Sequence, residues 1–427
     1  MSECLRNRDR ISNLPEALLL QILSLLPTKD VVATSVLSKQ WRSLWKMVPT
    51  LYFDYDSNQS KHETFSEIVS RLLLSHKAPF LESLHTNLNP DGCDAMDIGM
   101  WIGIAYAHHV RELILNIEYA SSFKFPRSLY NCETLETLIL TGWVLVDVPS
   151  PARLKSLRTL HLYYVEYKDD TSVLNLLSGC PKLENLVVQR GLGLMDVEIF
   201  SIAVPSLQRL TIYDDNDWQE FGGYLIKAPC LKYLNIIWMH GLQLCLIEDA
   251  PELVEARIIN VSNVMSENIM GSLTSAKRLC LELSPLKITF PTGIIFYRLV
   301  YLELRTCRAE WWNLLVLMLN ASPQLQVLKL ISQYWSETEK DGGKWSQPEN
   351  VPECLLLHLQ TFLWKGYKQL LKEEKEVAKY ILRNANHLKK AIFSTIPDED
   401  SSILVQEVGK ELESVVRASN SCELVFK

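Results

Sequence analysis

The chain has 427 residues, 48% of them apolar and 22% charged, with a formal net charge of −7. That composition is globular, and the length exceeds one ordinary compact core, so several domains or an elongated repeat are expected. The acidic balance supplies no basic field for nucleic acid, and no apolar run nears the roughly 18 residues that span a bilayer, so neither partner is expected.

Residues 1–8 read as a flexible N-terminus without the apolar run of a secretory signal, which leaves cytoplasm or nucleus as the expected compartments. Residues 10–49 read as three short helices packed into one module. Pro15 stands where a helix begins, and its missing N–H costs nothing there. Leu18, Leu19, Ile22, Leu23, Leu25 and Leu26 recur at helical spacing until Pro27 stops the run. Thr28 is placed as the N-cap of a second helix, with Asp30 in its first turn and Val31, Val32, Val36 and Leu37 on its apolar side. Ser38 is placed as the cap of a third helix carrying Trp41, Leu44 and Trp45, which Pro49 closes. A module of about forty residues cannot hide this many large apolar side chains, so some must cover a partner or the next domain. A polar link at 55–62 follows, then a helix over 63–75 with Phe65, Ile68, Val69 and Leu72 on one side.

From Val110 onward an L-x-x-L-x-L pattern recurs: Val110-Leu113-Leu115, Leu135-Leu138-Leu140, Leu157-Leu160-Leu162, Leu183-Leu186-Val188, Leu207-Leu210-Ile212, Leu231-Leu234-Ile236, Leu253-Ala256-Ile258, Ala276-Leu279-Leu281, Leu299-Leu302-Leu304 and Leu325-Leu328-Leu330. The starts fall about 22 to 26 residues apart, the period of leucine-rich repeats. The alternating end of each unit reads as a half-buried strand, and one unit cannot bury its own apolar edge, so neighbours must stack into a parallel sheet along an irregular, curved solenoid over residues 63–331. Of the returning limbs, TSVLNLLSG and AEWWNLLVLMLN read as helices, while VPSPARLKS holds too much proline to be one. Residues 332–350 break the period and read as a polar loop around Gly342 and Gly343. Strand-like LQTFLWKG, a charged amphipathic helix around KQLLKEEKEVAKYILRNA, strand-like LKKAIFS, a last helix at ILVQEVGKELESVV and strand-like CELVF complete an α/β region over 351–427 that continues or caps the solenoid.

Residues 9–54 resemble an F-box of the form common in plants. The LP near the start, the ILSLLPTKD and SVLSKQWRSLW blocks and the closing LYFD stand in family order. Residues 351–426 resemble the FBD region that follows leucine-rich repeats in many plant F-box proteins, through VPECLLLHLQTFLWKGY and RASNSCELVF. The fold class this implies is α/β: an F-box-like three-helix module, a leucine-rich-repeat solenoid and an FBD-like cap. The resemblance further implies docking on a Skp-type adaptor of a cullin-based ubiquitin ligase. Leu14, Pro15, Ile22, Leu25, Leu26, Pro27 and Trp41 match family positions tied to adaptor docking or module packing.

No constellation anchors catalysis, so an adaptor without cofactor or metal is expected, not an enzyme. Gly191 and Gly193 form only part of a dinucleotide fingerprint, and neither a P-loop nor a nucleophile elbow is present. His108 and His109 are adjacent and point apart on a helix end. No two of the ten cysteines stand at zinc-ligand spacing, which leaves them as buried thiols. Asp214, Asp215, Asp217 and Glu220 read as a solvated loop or a site for a basic segment. Trp143, Trp218, Trp238 and Trp335 fall just after strands, where packing and recognition are both open. If the strand register holds, His161, Tyr163, Arg209, Tyr213, Tyr233, Arg257, Arg278, Glu303, Arg305 and Lys329 line the concave face as candidate target contacts. The alternatives are a receptor binding a small-molecule hormone together with its target, and a repeat scaffold unconnected to ubiquitin.

Overall fold

The computed structural model describes residues 11, 14–56, 63–89, 92–117, 123–191, 197–214, 222–238, 244–248, 250–261, 267–283, 293–306, 311–332, 345–367, 372–394 and 412–427. The expected N-terminal tail, most of the 332–350 loop and most of the last expected helix lie outside these residues. The chain divides into two compact units, residues 1–189 with 194–197, and residues 190–193 with 198–427.

The first unit opens with the helical module. Helix α1 (Glu16–Leu23) starts directly after Pro15, and Leu19 and Leu23, four residues apart, turn one face inward. Helix α2 (Thr28–Ala33) starts after Pro27 and tightens into a 3-10 turn at Thr34–Val36. Helix α3 (Trp41–Leu44) is a single turn, followed by a second 3-10 turn at Trp45–Met47. Leu19, Leu23, Val31, Trp41, Leu44 and Val48 form the core of the module, with Leu14, Leu20 and Trp45 packed against it.

Both expected caps are corrected. Pro27, with φ of −55°, takes the cap position of α2, which moves Thr28 into the first helical position. The Thr28 hydroxyl is thereby released from capping and accepts a hydrogen bond from the Tyr52 N–H at 2.7 Å. The Ser38 side chain does not cap α3, because the helix starts later, after Gln40. The Ser38 backbone carbonyl instead accepts from the Arg42 N–H at 3.3 Å.

The module runs without a break into the sheet. Strand β1 (Thr50–Asp54) pairs in parallel with β2 (Ser83–Leu88). Val48-Leu51-Phe53 and Leu81-Leu84-Thr86, all buried, are therefore two earlier copies of the repeat frame. Between these strands, α4 (Phe65–Ser75) is held by a capping box in which Thr64 and Glu67 exchange hydrogen bonds, and it buries Phe65, Val69, Leu72 and Leu73. Next come α5 (Ala95–Ala107), β3 (Glu112–Ile117), β4 (Phe123–Lys124), β5 (Thr137–Gly142), β6 (Val144–Val146), β7 (Thr159–Tyr163), β8 (Glu166–Tyr167), α6 (Asp170–Ser178) and β9 (Asn185–Arg190). β1, β2, β3, β5, β7 and β9 pair successively, all in parallel. The short β4, β6 and β8 form a second parallel ladder on returning limbs that are too brief for helices. Asp169 caps α6 through its side chain, and the proline-rich 148–156 stretch forms no helix, as its prolines predict.

The second unit repeats this plan. Its elements are β10 (Ile199–Ala203), β11 (Arg209–Asp214), β12 (Gly223–Lys227), β13 (Tyr233–Ile237), β14 (Leu244–Glu248), β15 (Glu255–Val261), α7 (Glu267–Ser272), β16 (Arg278–Leu283), β17 (Tyr301–Thr306), α8 (Trp311–Ala321), β18 (Val327–Ser332), α9 (Glu353–Leu357), β19 (Thr361–Lys365), α10 (Lys372–Asn384), β20 (Lys390–Ser394) and β21 (Glu423–Phe426). β11, β13 and β15 to β21 form one parallel ladder in that order, and β10, β12 and β14 form another. The C-terminal region continues the ladder: Leu359-Phe362-Trp364 and Leu388-Ala391-Phe393 are buried frame positions like the leucines before them. Aromatic rings replace aliphatic packing here. Phe362, Trp364, Tyr367 and Phe393 meet edge to face with centroids 4.9 to 6.0 Å apart.

Candidate functional site

Two surfaces could meet other proteins: the helical module and the polar face of each parallel ladder. On the module, the residues four apart that are not needed for its core form a second stripe. Leu18, Ile22, Leu25 and Leu26 are exposed, as are Val36 and Leu37 at the end of the 3-10 turn. Leu25 is 85% exposed and Val36 84%. Full burial of such a side chain is worth roughly 1.5–3 kcal/mol, and most of that is forgone at Leu25 and Val36 and a part of it at the others, so the group is a standing apolar patch. Pro15 and Pro27 are exposed beside it, Leu14 is half-buried against the core, and Trp41, at 5% exposure, lies inside the core. Of the seven positions singled out by resemblance, therefore, Ile22, Leu25, Leu26 and the two prolines reach the surface. Leu18, Val36 and Leu37 join them. Ile22, like Leu18, stands one residue before a buried leucine, about 100° round α1 from the face of Leu19 and Leu23, and Val36 and Leu37 lie in a turn too short to bury both faces.

The module is anchored to the first strands by groups that sequence periodicity cannot show. His76, buried, donates from Nε2 to the Val48 carbonyl at 2.8 Å. The Lys77 N–H donates to the Lys46 carbonyl at 2.7 Å, and the Glu82 N–H to the Pro49 carbonyl at 2.7 Å. His108, at the end of α5, donates from Nδ1 to the Ala78 carbonyl at 3.0 Å and meets the His76 ring edge to face at 5.5 Å. The adjacent histidines 108 and 109 thus act separately, and burial lowers the pKa of His76, with His108 adding to that effect against the pull of the Val48 hydrogen bond.

On the outward face of the first unit, His161 and Tyr163 stand side by side, ring centroids 5.9 Å apart. Asn185 Nδ2 lies 3.2 Å from His161 Nε2. The same face carries a polar chain not anticipated from sequence. Asn116 Nδ2 donates to Asn87 Oδ1 at 2.7 Å, and Asn87 Nδ2 donates to the Tyr52 hydroxyl at 3.0 Å and to Asp54 Oδ1 at 3.4 Å. His85 Nε2 approaches Asn87 Oδ1 at 3.2 Å. These groups are aligned by the parallel register Asp54↔Asn87↔Asn116.

In the second unit the eight remaining candidates lie on the outward face of one ladder, from β11 to β18. The Arg209 guanidinium stacks over the Tyr233 ring at 4.0 Å, and Arg278 over Tyr301 at 3.9 Å. Arg278 also pairs with Glu255 at 3.6 Å. Glu303 gathers four donors: Lys329 Nζ at 2.8 Å, the Tyr301 hydroxyl at 3.1 Å, Arg305 Nε at 3.3 Å and Cys280 Sγ at 3.3 Å. Burial alone would raise its pKa, but the Lys329, Cys280 and Tyr301 hydrogen bonds bring it down to about 2. Glu303, Arg305 and Lys329 are thus bound first to each other. Arg257 is exposed and Tyr213 half-buried.

The other constellations resolve into packing or fall outside the described residues. Trp143 and Trp238 are about half exposed, whereas Trp218 and Trp335 lie outside. Of the acidic cluster only Asp214 is described; it is buried, 3.8 Å from Arg190 Nη1, and accepts from the Tyr224 hydroxyl at 2.6 Å. Gly191 is described and Gly193 is not. Cys132, Cys180, Cys245, Cys280, Cys354 and Cys422 are buried, and burial pushes the thiols of Cys180, Cys245 and Cys354 up to about 12, the opposite of activation. Among the described residues no three His, Cys, Asp or Glu side chains converge to hold a metal ion, and no helix is long and apolar enough to cross a membrane.

Three family descriptions match along the chain. Residues 11–52 match the F-box domain, residues 98–255 the leucine-rich repeats of the FBD-associated F-box protein At5g56370, and residues 347–393 the FBD. The F-box/FBD/LRR-repeat protein At3g52680 of Arabidopsis thaliana is 56% identical over 435 residues, covering 98% of this chain and 93% of that protein. The F-box/FBD/LRR-repeat protein At4g00160 of the same plant is 54% identical over 431 residues, with 98% and 94% covered. The F-box/LRR-repeat protein At3g26922, also of Arabidopsis thaliana, is 66% identical over 296 residues, covering 68% of this chain and 96% of that protein.

Proposed function

The chain belongs to the plant F-box/FBD/leucine-rich-repeat family, and from that premise we propose that it is a substrate-recognition adaptor of a cullin-based ubiquitin ligase. The helical module docks on a Skp-type adaptor, and the polar faces of the repeat ladders hold a target protein. The chain contributes proximity: holding the target raises the effective concentration of its lysines near a ubiquitin-carrying thiol on another subunit.

The observation that carries this reading is the exposed apolar stripe of Leu18, Ile22, Leu25, Leu26, Val36 and Leu37 beside a module core that is already complete without it. Pro15 and Pro27 border the stripe, while Leu14 and Trp41 serve the docking surface from behind by fixing α1 and α3. The target contacts are drawn from His161 and Tyr163 in the first unit and from Arg209, Tyr213, Tyr233, Arg257, Arg278, Arg305 and Lys329 in the second. Glu303 acts as the organiser of the last two.

The test is capture of a purified Skp-type adaptor by the full chain. Binding is expected, with loss after deletion of residues 9–54. Unimpaired capture by the deletion variant overturns the docking assignment. Affinity purification from plant cells with the proteasome blocked is expected to bring down cullin and target together.

A further inference from the structure

On the outward face of the second unit several cations are already paired, whereas Arg209 on β11 and Arg257 on β15 are not paired among the described residues. Arg278 pairs with Glu255 at 3.6 Å, Arg305 and Lys329 share Glu303 at 3.3 and 2.8 Å, and Lys390 pairs with Glu423 at 3.4 Å. Arg209 and Arg257, both exposed, have no carboxylate within ion-pair distance among the described residues. Stacking on Tyr233 holds the Arg209 guanidinium by its flat face, and the N–H donors lie in the plane of the fork, where they remain available.

Asn235 lies between the two arginines. The ladder register places Arg209 opposite Tyr233 on β13, and Asn235, two residues further along that strand, opposite Arg257 on β15. The Asn235 side-chain oxygen is buried and has no hydrogen-bond partner among the described residues. A buried acceptor without a donor is uncommon, and because the Asn235 side chain as a whole is half-buried, a turn of its amide brings that oxygen to the face, where the backbone N–H of an extended peptide supplies the donor.

We propose that Arg209, Asn235 and Arg257 bind an extended acidic segment of the target protein. The inference rests on the adaptor reading and narrows its target to a chemical class. Two strand spacings and an offset of two residues separate the arginine Cα atoms by about 12 Å. An extended chain covers that distance in three to four residues, so carboxylates at that spacing meet one fork each. Two separated forks fit single-charged carboxylates, whereas a phosphate dianion is better served by clustered cations. The chain as a whole carries a net charge of −7, so attraction of an acidic peptide has to be local to such a site.

The experiment is fluorescence anisotropy of a labelled octaglutamate peptide with the full chain bound to its Skp-type adaptor, at low salt. Saturable binding is expected. The Arg209→Gln/Arg257→Gln double variant is expected to weaken it by about tenfold or more, the order of two lost charge-assisted contacts. Asn235→Asp, which sets a carboxylate between the forks, is expected to weaken binding as well. Lys227→Gln, which breaks a pair with Glu248 on β12 and β14, is expected to leave it unchanged. Thermal unfolding of each variant verifies folding. No octaglutamate binding, equal binding by the double variant, or a preference for a phosphoserine peptide over octaglutamate overturns the proposal. Any of these results with adaptor capture intact leaves the proposed function standing; failure of the wild-type chain to capture the adaptor overturns that function instead.

Discussion

Thr28 and Tyr52 are joined by a hydrogen bond of 2.7 Å from the strand N–H to the helix hydroxyl. Thr28 opens the second helix of the F-box module, and Tyr52 is the central residue of β1, the first strand of the repeat ladder. The F-box module and the first repeat therefore share one hydrogen-bonded structure. Thr28 is buried, so Thr28→Val, which keeps the shape and removes the acceptor, strands the Tyr52 N–H at a cost of roughly 1–3 kcal/mol. Chemical denaturation of the full chain and of Thr28→Ser, which keeps the hydroxyl and is expected to lose less, measures it.

The same junction gives the stability a pH dependence. Burial lowers the pKa of His76, and burial also lowers His85 and His161 on the ladder face. Unfolded, these imidazoles titrate near about 6.5. Below that value the unfolded chain binds protons that the folded chain refuses, so stability is full above it and falls as the pH drops through it. The urea midpoint is expected to be lower at pH 5.5 than at pH 7.5. His76→Gln, which retains a donor for the Val48 carbonyl, is expected to flatten that difference. An unchanged difference removes His76 from the account.

Leu25, exposed, and Trp41, in the core, allow the proposed docking role to be tested apart from packing. Leu25→Asp alters a side chain 85% exposed and is expected to change stability by no more than about 0.5 kcal/mol while abolishing adaptor capture. Trp41→Ala empties a core position and is expected to cost about 3–5 kcal/mol. Adaptor capture by the fraction of Trp41→Ala that remains folded is expected to be retained. Calorimetry and capture assays on the same preparations distinguish the two roles.

Much of this fold is legible in the sequence because the frame leucines recur at a near-constant spacing: ten copies of L-x-x-L-x-L predict ten parallel strands with one face inward. The first two copies escape for physical reasons. Val48-Leu51-Phe53 is embedded in the helical module, and Leu81-Leu84-Thr86 ends on a buried threonine whose hydroxyl reaches the Ile114 carbonyl. The strands β4, β6 and β8, two or three residues each, are too short to show alternation. On the ladder faces, the sequence indicates which residues point outward but not which are already engaged with one another. Glu303 and Lys329 are 26 residues apart, as are Arg158 and Glu184, and only the strand register brings each pair together.

Strand exits offer a test of backbone strain. The position two residues after the last frame residue is left-handed in several repeats: Gly142 at φ 92°, Gly366 at φ 74°, and Tyr164 and Trp238 both at φ 57°. In Gly142→Ala the new Cβ would collide with the Ile117 carbonyl oxygen, and the left-handed backbone itself costs an alanine about 1–2 kcal/mol. Destabilisation of at least that size is expected. Trp238→Gly relieves the same strain at a half-exposed side chain and is expected to stabilise the second unit by up to about 1 kcal/mol. Thermal unfolding of the two variants should move in opposite directions.

Glu303 is the strongest organising group on the face of the second unit. Its four donors come from three strands, β16, β17 and β18, so removing its charge loosens contacts to all three at once. Glu303→Gln keeps the size and loses the charge, which leaves Lys329 and Arg305 beside a neutral amide in a site only 10% exposed at the glutamate side chain. A cost of roughly 1–3 kcal/mol is expected at neutral pH. Its sign with pH is opposite to that of the histidines on their own range. The folded carboxylate is depressed to about 2, so its contribution is present above the unfolded value near about 4.3 and is lost as the pH falls from there through about 2. The stability gap between wild type and Glu303→Gln is therefore expected to be constant from pH 8 to pH 6 and to shrink below about pH 4. A gap that persists undiminished at low pH would assign the loss to side-chain packing and not to the charge.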